Sequence, residues 1–282
     1  MPTAHTHDDT TIDVAVLGAG PAVLLPVSTT VIEGEAAEQM RAWGAEPALG
    51  HTLATGLAEA GFRVVTADYE GHMARHPKPT TLTAAAVSAD LLAMADAAGV
   101  DRFAYYGYSW LALAGLQLAL RTDRLTALVM GGYPPLGGPY AAMREVTAAA
   151  HQMAVANQGK QFAAAEPGDW DAAEVTATPD QTAQYVTLYE SLRDFDERAA
   201  LDGLTVPRLA FAGADDTVTY GPKWGDVRVA IGEPLARHRA ELASRGWAVE
   251  LIPGADHMSA MGAATVLPIL TRWLTKVSAP VG

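Results

Sequence analysis

The chain has 282 residues, half of them apolar, which suffices for one large α/β domain or two small ones with a full core. Nineteen basic against 32 acidic residues give a net charge of −13, which argues against nucleic acid or an anionic membrane as a partner, since either needs a basic face. With no cysteine there is no disulfide, thiolate nucleophile or cysteine-based metal site. The start, Met1-Pro-Thr-Ala-His-Thr-His-Asp-Asp9, lacks a basic segment followed by an apolar run. No signal peptide is read there, no apolar run reaches membrane length, and the first ten residues read as a tail, so a cytoplasmic protein is expected.

Thr11-Ile-Asp-Val-Ala-Val-Leu17 alternates as a strand does. Gly18-Ala-Gly-Pro21 and a second strand, Ala22 to Pro26, follow. The two glycines are not a dinucleotide loop, because a strand follows where a phosphate loop needs a helix and Pro21 removes a donor; a hairpin turn is expected. A long connection from Val27 to Gly50 is of the kind that is usually functional. A helix from Thr52 to Ala60 stops at Gly61, a strand runs from Phe62 to Ala67, and Asp68-Tyr-Glu-Gly-His72 forms a turn that His72 ends. The span from Leu82 to Ala98 reads as a helix closed by Gly99.

Phe103-Ala-Tyr-Tyr-Gly-Tyr-Ser-Trp110 then runs a strand into a serine and on into the apolar helix from Leu111 to Ala119. A serine at a sharp strand-to-helix turn is held accessible, and the first amides of the helix point at whatever its oxygen attacks. Another strand, Leu125 to Met130, precedes a glycine- and proline-rich stretch. The alternation pauses between Pro139 and Arg198, where helices are expected from Pro139 to Gln158 and from Asp180 to Leu192, with Glu166 to Trp170 as loop. It resumes with the strand Val206 to Ala212, which ends in Gly213-Ala-Asp-Asp216. A polar connection through Trp224, a helix from Leu235 to Ser244, the strand Trp247 to Ile252, the loop Pro253-Gly-Ala-Asp-His-Met258 and a helix from Met261 to Val277 complete the chain. Alternation of this kind means a mostly parallel sheet covered on both faces.

A serine hydroxyl needs a base to take its proton and an acid to orient the base. Three strand ends offer Ser109, Asp216 and His257 in that order, with Asp215 as a rival acid. Ligands bind at that end of a parallel sheet, and histidine carries protons best near neutral pH. His151 and His238 read as helix-surface residues.

The chain resembles the α/β-hydrolase superfamily from about Ile12 to Trp273. The resemblance rests on Gly107-Tyr-Ser-Trp, Pro207 to Asp216, Gly254-Ala-Asp-His257 and the turn at Asp68. It implies a mostly parallel central sheet with helices on both faces and a small helical cap inserted after the sixth strand. The core is then residues 1–138 and 199–282, with the cap at residues 139–198. It implies Ser109 as nucleophile, His257 as general base and Asp216 as orienting carboxylate, the glycine with an acid three residues on favouring Asp216 over Asp215. It departs from the usual pattern twice. Leu111 stands where a small residue is usual, implying a wider turn or a helix shifted outward. Val27-Ser28-Thr29 stands where His-Gly is frequent, so one oxyanion donor is expected in the Trp110 amide and the other near Ser28 or Thr29.

Trp43, Tyr108, Trp110, Tyr133, Met143, Met153, Tyr185, Tyr189 and Met258 are candidate pocket residues, and an apolar, aromatic pocket suits a largely neutral substrate. The expectation is a serine hydrolase for a small to medium ester or lactone, needing no metal or organic cofactor. Its partner would be a small molecule, with neither nucleic acid nor membrane, and it could assemble as a homodimer. Alternatives are a non-hydrolytic enzyme of the same fold, performing cyclisation, peroxidation, C–C cleavage or acyl transfer, or a small-molecule receptor.

Overall fold

The computed structural model describes residues 1–162, 165–166 and 172–279. The chain opens with β1 (Thr3–His5) and β2 (Thr11–Asp13), which pair antiparallel as a two-stranded sheet of their own. The first ten residues are therefore not a tail. They are held by a buried polar cluster: the ammonium of Lys78 donates to Thr6 Oγ1 (3.2 Å), to Thr10 Oγ1 (3.3 Å) and to the carboxylate of Asp8. Beside it, the His7 amide donates to Asp90 Oδ1 at 2.6 Å and the Tyr69 hydroxyl donates to Asp90 Oδ2 at 2.7 Å.

Residues 11–17 thus divide, and β3 (Ala15–Leu17) belongs to the main sheet together with β4 (Ala22–Leu25). The expected hairpin between β3 and β4 does not form. β5 (Arg63–Thr66) lies between them, antiparallel to β3 and parallel to β4. The turn that joins β3 to β4 is pressed against the next segment instead, where a Cβ on Gly20 would stand 2.1 Å from the Gly61 carbonyl oxygen. The long connection holds a helix, α1 (Gly34–Ala42), before α2 (Leu49–Glu59). After β5 the expected turn is a helix, α3 (Tyr69–Arg75), whose N-cap Asp68 accepts from the Gly71 amide at 3.1 Å. The chain continues through α4 (Ala84–Ala97), β6 (Phe103–Tyr108), α5 (Trp110–Ala119) and β7 (Leu125–Gly131).

The helical insertion comprises α6 (Tyr140–Asn157) and α7 (Pro179–Glu190), and α8 (Glu197–Asp202) leads out of it. The loop expected over Glu166–Trp170 lies, beyond Glu166, outside the described residues. The insertion leaves β7, the seventh strand in chain order and the fifth of the central sheet, because residues 11–17 count as two strands and β1 adds another. A capping box at Thr178 and Gln181, with Pro179 in the first turn, starts α7. Polar side chains then fasten α7 to the end of α3 and the segment after it: Gln184 Oε1 accepts from the Lys78 amide (3.2 Å), Gln181 Nε2 donates to Ala74 O (2.7 Å) and Thr187 Oγ1 donates to Pro79 O (2.5 Å).

The remaining elements are β8 (Arg208–Gly213), a hairpin of β9 (Thr217–Thr219) and β10 (Arg228–Ala230), α9 (Gly232–Arg237), α10 (Arg239–Ser244), β11 (Trp247–Ile252), α11 (His257–Met261) and α12 (Ala263–Ser278). Seven strands form the central sheet in the order β11-β8-β7-β6-β4-β5-β3, parallel except at the β3 edge. Successive side chains point to opposite faces. Leu24, Val65, Tyr105 and Leu128 join the core under α4 and α5, while Val23, Val64, Tyr106 and Val129 join the core under α2 and α12. Burial on both faces is what a parallel sheet requires, and it explains why β6 is buried at every position.

Candidate active site

β6 ends at Tyr108 and α5 begins at Trp110, so Ser109 alone makes the turn, with φ 56° and ψ −129°. That region is sparsely populated by residues with a side chain and persists only where surroundings over-determine it. Here the Ser109 amide donates to Gly131 O at 2.8 Å, and Ser109 O accepts from the Ala112 amide at 2.9 Å. The expected widening at Leu111 does not occur. A Cβ on Gly107 would stand 2.3 Å from Leu111 O and 2.4 Å from its carbonyl carbon, so strand and helix are already at closest approach. Gly107 and Gly115 supply the small surfaces, the latter against the Tyr105 ring, and the Leu111 side chain is buried in the core. The Tyr105 hydroxyl, donating to Leu111 O at 2.8 Å, ties the first turn of α5 to the strand.

Asp216 follows β8 and is fully buried, whereas Asp215 is exposed. Both carboxylate oxygens of Asp216 lie near His257 Nδ1, at 2.9 and 3.1 Å. The amides of Ile231 and Gly232 donate to Asp216 O at 3.0 and 2.9 Å, which fixes the acid's backbone against the β9–β10 hairpin. His257 opens α11 behind an N-cap, Asp256, whose pKa is lowered by hydrogen bonds from the Ser259 side chain and amide. The Tyr108 hydroxyl donates to His257 O at 2.8 Å, and its ring lies 5.1 Å from the imidazole. Burial, with Asp216 and Asp256 nearby, keeps that phenol neutral by raising its pKa.

Ser109 and His257 line one cavity of about 230 Å³. Its walls come from the elbow (Trp110), the insertion (Met143, Thr147, Thr182, Tyr185 and Tyr189), Tyr133, and the β9–β10 hairpin (Val218, Tyr220 and Val229). Of the expected pocket residues the structure thus brings together Trp110, Tyr133, Met143, Tyr185 and Tyr189. Trp43, Tyr108, Met153 and Met258 are not among the lining residues; Tyr108 packs behind His257, and Met258 faces Gly44. Ser28 and Thr29 are half-buried after β4 and do not line the cavity either. Ser28 Oγ accepts from the Thr30 amide at 3.2 Å, and a Cβ on Gly50 would stand 2.0 Å from Ser28 O, so this segment is clamped against α2.

Three features go beyond the expectations drawn from the sequence. The hairpin was legible in the alternation of Thr217-Val-Thr-Tyr220 and Val227-Arg-Val-Ala-Ile231 around Gly221-Pro222. Glu70, an exposed residue on α3, accepts from Trp110 Nε1 at 2.7 Å; desolvation raises its pKa against the lowering effect of the indole. Histidines also moved inward. His72 is buried, with Nε2 3.0 Å from Thr10 Oγ1, and desolvation lowers its pKa; His151 Nδ1 lies 3.1 Å from Thr182 Oγ1, between α6 and α7. Among the described residues no group of three acidic or histidine side chains is placed to hold a metal ion, and no helix is long and apolar enough to cross a membrane.

No family model matches the chain. A curated protein, "Putative carbamate hydrolase RutD" of Klebsiella pneumoniae, is 29% identical over 188 residues, which is 59% of this chain and 69% of that protein. Among solved structures, an esterase from Exiguobacterium antarcticum superposes with a TM-score of 0.60 at 16% identity, covering 99% of each chain. The enol-lactonase from Burkholderia xenovorans gives 0.56 at 18% identity, covering 98% of this chain and 99% of its own. Epoxide hydrolase A from Mycobacterium thermoresistibile gives 0.57 at 18%, covering 98% of each. With its seven-stranded sheet, the serine between β6 and α5, and these neighbours, the chain has the α/β-hydrolase fold.

Proposed function

We propose that the protein is a serine hydrolase acting on a small, largely apolar ester or a related acyl compound through Ser109, His257 and Asp216. The observation that carries this reading is a serine at φ 56° sharing a cavity with a histidine whose other face meets a fully buried carboxylate 2.9 Å away. With Nδ1–H donated to Asp216, Nε2 is left to accept the Ser109 proton as Oγ attacks the acyl carbon. The proton then passes to the leaving group, and water activated by His257 releases the acyl enzyme. The Trp110 amide, at the first position of α5, has no acceptor within the helix and serves as one oxyanion donor. The second is assigned to the segment at Ser28 and Thr29, which leaves β4 beside β6.

Residues 139–198 act as a cap over the core formed by residues 1–138 and 199–282, since α6 and α7 supply a wall of the cavity. At about 230 Å³ the cavity is smaller than the roughly 300–1,000 Å³ typical of drug-sized ligands, which favours a short acyl group. Because the curated relative is described as a carbamate hydrolase, carbamates belong beside esters and lactones as substrates. The test is turnover of short p-nitrophenyl esters, lactones and carbamates together with labelling by a fluorophosphonate probe. Ser109→Ala loses both. Labelling that persists in Ser109→Ala overturns the assignment.

A further inference from the structure

Trp110 carries one hydrogen-bond donor on its side chain, and that donor points away from the cavity, into the carboxyl of Glu70 at 2.7 Å. Glu70 itself is not a lining residue. The indole is held on two further sides. The Tyr69 ring, anchored through its hydroxyl to Asp90, lies 6.2 Å away at 32°, and the edge of Tyr185 on α7 meets it at 5.7 Å and 79°. Stacking of this kind tolerates sliding and rotation of a ring. The hydrogen bond to Glu70 does not, because it requires the N–H to aim at a fixed point. Glu70 is an exposed residue of α3, yet its carboxylate is drawn onto the indole N–H at 2.7 Å rather than left free in water. Its placement follows if its work is to hold the indole.

We infer that Glu70 is a positioning residue that locks the Trp110 indole as an apolar wall of the cavity and so sets the size of the acyl group the site admits. This rests on the proposed hydrolase reading for its substrate, though not for its geometry. With the acceptor removed, the indole turns and its N–H is free to face the cavity. The cavity then widens toward α3 and loses apolar contact with a short acyl chain. Glu70→Gln keeps a side-chain oxygen in place and preserves the lock.

The experiment compares p-nitrophenyl acetate, butyrate and hexanoate on the wild type, Glu70→Ala and Glu70→Gln. One methylene in an apolar pocket discriminates by about 10–200-fold, so Glu70→Ala should shift the hexanoate-to-acetate ratio of kcat/KM at least tenfold toward hexanoate. The change should fall mainly in KM, and Glu70→Gln should retain the wild-type ratio. Trp110→Phe removes the same hydrogen bond from the other side, so adding Glu70→Ala to it should shift the ratio no further. If Glu70→Ala alone folds poorly, Glu70→Leu, which keeps the bulk of the side chain but offers the indole no acceptor, is read in its place, and an unchanged ratio there overturns the positioning role. In parallel, 2-alkanones of matching chain length, which cannot be hydrolysed, are titrated into Ser109→Ala and Ser109→Ala/Glu70→Ala by calorimetry. If ketone preferences shift while no ester turns over in any variant, the positioning role stands and the hydrolase reading fails. If esters turn over but Glu70→Ala leaves both chain-length series unchanged, the hydrolase reading stands and the positioning role is overturned.

Discussion

Ser109 holds φ 56° and ψ −129°, a backbone conformation natural to glycine and strained for any residue with a Cβ. Replacing it by glycine and, separately, by alanine separates the hydroxyl from the strain, because both variants lose Oγ and only one keeps the Cβ. The strain in such a region is of the order of 1–3 kcal/mol. Glycine gives back roughly 0.5–1 kcal/mol through the greater entropy of its unfolded chain. The remainder leaves Ser109→Gly more stable than Ser109→Ala by about 1 kcal/mol, or roughly 2–4 °C in Tm for a chain near this size. Urea unfolding followed by far-UV circular dichroism measures the difference, and neither variant should turn over an ester. If Ser109→Gly proves no more stable than Ser109→Ala, the elbow is relaxed and the argument that the fold stores strain beneath the serine fails.

Asp216→Asn should lower kcat by as much as about 10⁴, by analogy with the serine-protease acid, while Asp215→Asn, an exposed change, should stay within about threefold; steady-state kinetics on one ester decides between them. Gly107→Ala would place a Cβ 2.3 Å from Leu111 O, a backbone atom that cannot yield, so a loss of at least about 1–3 kcal/mol and a sharp fall in kcat are expected. Gly203→Ala, whose Cβ would meet only Ala200 O at 3.9 Å, is the control and should leave stability within about 0.5 kcal/mol. His72 is buried with its pKa lowered by desolvation and by the charges of Lys78 and His76, so the unfolded chain takes up this proton first as the pH falls. Its contribution to stability is complete above about pH 6.5 and is lost as the pH drops through the lowered folded value. Tm measured from pH 7.5 to 5 should therefore fall less steeply in His72→Gln; parallel curves would refute this.

What the sequence disclosed was local. The strand-serine-helix run from Phe103 to Ala119 and the acid and histidine just past β8 and β11 are each written within a few consecutive residues. The pairing of β5 between β3 and β4 is not, since sheet order depends on contacts far apart in the chain. α1 lacked a signal for a physical reason: only Ala37 of its residues is buried, so it has no apolar stripe to betray a 3.6-residue period. Trp43 and Met258 looked like cavity walls because aromatic and methionine side chains on loops often are, but nothing in a sequence says which way a loop faces. Leu111 misled for the opposite reason. Its size suggested a wide turn, while the contact that matters there is made by its backbone with Gly107.

The cluster around Lys78 has a practical side for anyone handling this protein. A shortened chain beginning near Val14 would look harmless on paper, since it spares every strand of the large sheet. It would also withdraw Thr6, Asp8 and Thr10 together, leaving an ammonium group with no exposed surface stripped of three of its oxygen partners. Breaking a buried pair in this way costs about 3–5 kcal/mol, a sizeable share of the stability of an ordinary domain. Lys78 also sits at the residue whose amide meets Gln184 on α7, so the damage would spread from the first strands to the wall above the serine. Trimming at the amino end would thus be felt in the cavity before it was felt in the sheet.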